Sequence, residues 1–121
     1  MRIPGPDHPI TITPNSKRVR VVFNGQVVAD TRRALDRREA TYDPVQYIPR
    51  ADATMELFVR TSNSTHCPYK GDASYFTLQV GGCSSESAVW SYEAPYPAVA
   101  EIKEQLAFYP DRVDRIEEVE G

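Results

Sequence analysis

The chain has 121 residues, 40% hydrophobic and 26% charged, with a net charge of −3 and a sequence pI near 5.4. That size and balance describe one globular domain and exclude two ordinary ones. No apolar run approaches the roughly 20 residues that cross a bilayer, and the acidic balance sets the chain against general nucleic-acid binding.

The charge is unevenly spread. Residues 111–121 carry −3 and residues 1–110 sum to zero, while Lys17 to Arg38 holds a local +5. The plain reading of that basic run is a solvated strand face, and the sharper one is an anion-binding patch. Residues 1–13 lack an apolar block of signal-peptide type, so a cytoplasmic location is expected. A reducing compartment argues against pairing Cys67 with Cys83.

In chain order, residues 1–16 read as an extended arm. Pro4, Pro6, Pro9 and Pro14 forbid a helix, and Ile10 and Ile12 alternate with threonines as in an edge strand. Residues 17–110 then form the β domain, and 111–121 an acidic, poorly ordered tail. The clearest local signal is Asn24-Gly25 between Arg18–Phe23 and Gln26–Thr31, a two-residue hairpin turn. It predicts Phe23 opposite Gln26, Val22 opposite Val27 and Val21 opposite Val28, with both faces covered near the tip.

Residues 32–39 suit either a helical turn or a third strand. Val45–Ile48, between Pro44 and Pro49, reads as a short strand, and Leu57 with Val59 begins another after a turn at Asp52. Residues 73–80 alternate with period two, sending Phe76, Leu78 and Val80 inward and Tyr75 and Thr77 the other way. Residues 81–85 read as a loop, and residues 87–92 as the next strand. Pro97, Val99, Ile102 and Leu106 suggest one short helix near the C-terminus, although residues 106–109 equally suit a last strand. The expected fold class is mainly β, a single compact antiparallel domain.

The chemistry concentrates in Thr65-His66-Cys67-Pro68-Tyr69-Lys70-Gly71, where a thiol, an imidazole, an amine and a phenol fall together. Pro68 and Gly71 bracket a turn, so these side chains are expected on a tight loop. Cys67 is a candidate nucleophile tuned by His66 or Lys70, against the plainer reading of a small buried cysteine. Lys70 beside glycine suits an anionic ligand, but the spacing of a P-loop is absent. Tyr47, Tyr75, Trp90 and Tyr92 supply aromatic walls if the neighbouring strands converge there. Four separate ligands, His8, His66, Cys67 and Cys83, with no Cys-x-x-Cys, do not make a zinc site. No cofactor is called for.

Several blocks resemble domain-of-unknown-function family 427. They are Gly5–Ile10, Tyr47–Arg50, Thr65–Gly71, Trp90–Pro97 and Ala107–Pro110. The family carries a loose nucleotidyltransferase label and no established activity. The resemblance implies a β-tent-like architecture, similar to domains that include methionine sulfoxide reductase B.

Together these readings give a small β domain that binds a small anionic or thiol-reactive molecule. Its expected pocket is at residues 65–71, formed by Tyr47, Thr65, His66, Tyr69, Lys70, Gly71, Tyr75, Trp90 and Tyr92. An enzyme using Cys67, with Lys70 assisting, and a protein-interaction module are the alternatives. The oligomeric state is not encoded in any pattern found here.

Overall fold

The computed structural model describes residues 1–120. Asn24 and Gly25 both have positive φ, +49° and +74°, as the tight turn between β2 (Arg18–Phe23) and β3 (Gln26–Thr31) requires. Phe23 pairs with Gln26 and Val22 with Val27, as the turn predicts, but Val21 lies opposite Ala29 rather than Val28. A β-bulge at Val28 corrects the register. It sets Val28 and Ala29 against one residue, so both are buried beneath Val21. Val27 is 42% exposed although its partner Val22 is buried, so the second face of the tip is covered only in part.

The arm ends in β1 (Ile10–Pro14), the expected edge strand. It pairs with β4 (Leu35–Glu39), which pairs in turn with β5 (Val45–Tyr47). The long strands β6 (Phe58–Cys67), β7 (Gly71–Val80) and β8 (Cys83–Tyr92) form a second sheet with the short β9 (Ala107–Phe108). The third sheet is β10-β2-β3, where β10 is Arg115–Val119. All pairings are antiparallel.

Three expectations change here. The acidic tail is not loose: Arg115–Val119 pairs with Arg18–Val22 of β2, setting Glu117 opposite Arg20 and Glu118 opposite Val19. Its acids thus meet the basic run, which sequence order alone places far away. The loop expected at 81–85 shrinks to Gly81-Gly82, both at positive φ, and Cys83 already pairs with Val80. The helix near the C-terminus is a 3-10 segment, Pro97–Ile102, broken at Val99 (φ −127°). Val99, Ile102 and Leu106 are nonetheless buried.

Two apolar clusters hold the sheets together. In the first, Val19, Val21 and Val28 of the hairpin pack with Phe58, Phe76, Leu78 and Val89. Phe58 meets Phe76 and Phe108 edge-on, at centroid distances of 6.4 and 6.0 Å. In the second, Tyr47, Ala73, Tyr92, Val99, Ile102 and Ala107 join β5 to the other half of the long sheet. The candidate site grows out of this second cluster.

Candidate functional site

Only Pro68, Tyr69 and Lys70 form the turn in the expected loop. Thr65, His66 and Cys67 belong to β6 and pair with Ala73, Asp72 and Gly71. Strand alternation therefore sends Cys67 and His66 to opposite faces. Gly71 has φ +110°, and a Cβ there would stand 3.4 Å from the Ala94 carbonyl, so a side chain is strained at this position. The Lys70 carbonyl accepts a hydrogen bond from Tyr96 N–H at 3.0 Å, which fixes the exit of the turn.

This backbone carries Lys70 inward. Its side chain is 6% exposed, and its ammonium donates to Glu39 Oε1 on β4. Arg37 Nη1 reaches the same oxygen at 2.5 Å, and His8 Nε2 lies 2.7 Å from Oε2. Burial pushes the Glu39 carboxyl up, but hydrogen bonds from Lys70 and His8, with the charges of Lys70 and Arg37, hold it below the ordinary carboxylate range. His8 stacks on Tyr69 (3.9 Å, 8°), and Arg2 N–H donates to the Pro68 carbonyl at 2.7 Å. The N-terminal residues thus lie across the turn and cover Glu39. Sequence reading missed Glu39 as the partner of Lys70, with Arg37 and His8 on the same carboxylate, because three distant segments bring them together.

The four aromatic side chains Tyr47, Tyr75, Trp90 and Tyr92 come together in the second cluster. Tyr75 pairs with Trp90 across β7 and β8, and both pack against Tyr47 and Tyr92 with Cys67 beside them. Trp90 Nε1 donates to the Tyr47 phenol at 3.3 Å, and the Tyr75 hydroxyl lies 2.8 Å from Thr65 Oγ1. Lys70 Nζ sits 6.0 Å above the Tyr92 ring. Burial pushes Tyr47 up to about 12 and raises Tyr92 as well, so both phenols stay protonated. Tyr47 and Tyr92 are core, whereas Tyr75 and Trp90 are half-buried and reach the surface.

Two of the expected residues leave this group. His66 is exposed, with Nδ1 2.7 Å from Asp72 and its ring edge toward Tyr96. Tyr69 is turned to His8. The cysteines are both free. They lie at opposite ends of β7, opposite Gly71 and Val80, about 30 Å apart along the strand.

Beside Trp90 opens a groove of about 820 Å³ where all three sheets meet. Trp90, Tyr109, Phe108 and Ile48 make it apolar, and Asp36, Arg38, Gln46, Arg115 and Glu118 give it polar groups. Trp90 and Tyr109 are in tilted contact at 4.5 Å. Buried Asn15 donates to Asp36 at 3.1 Å and to Glu118 at 3.0 Å, fixing two of these carboxylates. Arg38 makes no ion pair among the described residues. Of the residues expected to form the pocket, Trp90 alone lines this groove. The alternation of Asp36 and Arg38 with Leu35 and Arg37 was a usable signal for two of the others.

No described cluster of three or more His, Cys, Asp or Glu side chains is placed to hold a metal ion. No helix among the described residues is long and apolar enough to cross a membrane. A comparison with curated proteins finds no match. A family model described as a domain of unknown function, DUF427, matches residues 11–119. With nearly the whole chain covered, from β1 to the end of β10, the protein belongs to the DUF427 family.

Proposed function

We propose that this domain binds a small anionic molecule in the groove beside Trp90, with the rings of Trp90 and Tyr109 as its aromatic wall. The observation that carries this reading is the groove itself. Its volume is that of a small-ligand pocket, and its lining joins aromatic rings to a few fixed polar groups. Arg38, with no carboxylate partner, is the group offered to an anion, while Trp90 and Tyr109 suit a planar ring. The expectation of a pocket at residues 65–71 moves accordingly. Lys70 supports the wall through Glu39 and Tyr92 rather than meeting the ligand in the groove.

The catalytic alternative has less support. His66 faces away from Cys67 toward Asp72, and the Lys70 ammonium is held by Glu39. The thiol-reactive variant rests on Cys67 alone, half-buried beside Tyr47 and Tyr92. For a protein-interaction module, the large exposed apolar side chains are Met1, Ile3, Val27, Tyr42 and Val59, which come from four separate segments. Three antiparallel sheets closing on two apolar clusters support the β-tent-like architecture.

Trp90 is the single tryptophan, so its fluorescence reports on the groove. Titration with small aromatic carboxylates and phosphates is expected to give saturable quenching. Arg38→Gln should weaken it about tenfold, the loss of one charge-assisted hydrogen bond. An unchanged spectrum across the panel, or quenching indifferent to both Arg38→Gln and Tyr109→Ala, overturns the reading.

A further inference from the structure

The buried group around Glu39 is unbalanced in charge. Lys70 and Arg37, 6% and 8% exposed at the side chain, share one carboxylate that is itself 3% exposed. Among the described residues no second carboxylate lies within 4 Å of either cation. His8, on the other oxygen, adds a further positive charge whenever it is protonated. One net positive charge therefore stays in a largely buried cluster, an arrangement that burial disfavours unless a counter-charge joins it.

A second observation points the same way. Arg37 Nη1 is occupied by Glu39, but Arg37 Nε is buried and has no hydrogen-bond partner. Buried donors left unpaired are uncommon and call for a specific explanation. The Nε side of a guanidinium is one of the two edges that hold a planar carboxylate by two parallel bonds. Arg37 thus presents an unfilled receptor edge beside an uncompensated charge.

We infer that Arg37 and Lys70 form a carboxylate-binding subsite, distinct from the Trp90 groove and covered by the N-terminal arm. The occupant is a small carboxylate, or the carboxylate end of a larger ligand. It bonds Arg37 through the Nε edge and neutralises the excess charge of the cluster. Asp36 and Arg38, the neighbours of Arg37 that line the groove, alternate to the other face of β4, so the two sites lie on opposite sides of that strand. His8 is the most exposed member of the cluster, at 21%. Its ring meets Glu39, stacks on Tyr69 and touches Tyr42 edge-on, with no further side-chain partner among the described residues, so the His8 side chain is the part of the cover placed to move aside.

The test uses the full chain with ¹⁵N-labelled arginine, following the Arg37 Nε–H resonance during titration with sodium formate and sodium acetate. Sodium chloride at matched ionic strength is the control. A saturable shift of that resonance with the carboxylates, absent with chloride, supports the subsite. Arg37→Lys, which keeps the charge but removes the planar edge, should weaken binding about tenfold to a hundredfold. If that variant does not fold, the wild-type titration decides alone. A response no different from chloride overturns the inference, as does a high-resolution crystal structure grown with formate in which only water occupies the Nε edge. Trp90 fluorescence is read in the same samples, so failure here and failure of the groove reading are separately visible.

Discussion

Glu39 and Glu93 are built from the same parts and sit in opposite surroundings. Glu39 gathers Lys70, Arg37 and His8; Glu93 gathers Arg60, Arg50 and Ser74. The first carboxylate is 3% exposed and the second 34%. Around Glu93 the two guanidiniums also lie over the Phe76 ring, at 5.1 and 5.4 Å, and Arg50 further donates to Ser91 and to the Glu104 carbonyl. That network reaches water, so its remaining donors are satisfied at little cost. The Glu39 network does so only at its rim, through His8, so every unpaired donor within it matters. Similar ion pairs thus act as a surface tie in one place and as a polar site in the other, and burial decides which.

The largest contrast is expected from deleting the two carboxylates in turn. Glu39→Ala leaves Lys70 and Arg37 buried without a partner and should cost about 3–5 kcal/mol in chemical denaturation. A loss below about 1 kcal/mol would show that water already reaches the cluster. Glu93→Gln should cost about 1 kcal/mol or less, since solvent screens its pairs.

A smaller difference should appear on acidification. The Arg60 hydrogen bond, with those of Ser74 and Arg50, draws the Glu93 carboxyl down to about 2, from 4.5 for an unperturbed glutamate. A folded value below the unfolded one means that the contribution is complete above pH 4.5. It is lost as pH falls from there toward 2. The wild-type protein should therefore lose its advantage over Glu93→Gln across that window, measured as the difference in Tm. A constant difference from pH 5 to pH 2 breaks this account.

Salt supplies the finest discrimination. Raising ionic strength from 0.1 to 1 M shortens the screening length from about 10 to about 3 Å, which reaches exposed pairs and largely spares buried ones. The stability gap between wild type and Glu93→Gln should narrow, while the gap to Glu39→Ala stays nearly constant. Equal narrowing of both would place the two clusters in the same environment.

Local chemistry made much of the fold legible. Asn24-Gly25 dictated its turn because few residue pairs tolerate two positive φ angles. The alternation of Phe76, Leu78 and Val80 marked the inward face of β7, and Pro44 and Pro49 bounded β5. Matched period on two adjacent strands placed Trp90 or Tyr92 beside Tyr75, and the fold chose Trp90. These signals act over a few residues, and the sequence displays them directly.

What the chain order could not reveal depends on contacts between distant segments. A bulge at Val28 shifted the hairpin register because packing favoured burying both Val28 and Ala29. An acidic tail became β10 because the basic strand β2 lay open beside it. Lys70 read as a turn residue offered to an anionic ligand, and only the fold shows that β4 and the N-terminal arm bring Glu39, Arg37 and His8 around it. The groove beside Trp90 has no local signature, since three sheets each contribute a wall. Period and turn chemistry are set by neighbouring residues, and so they are written in the sequence. Burial, counter-charge and concavity arise only when remote strands meet, and tertiary structure alone decides them.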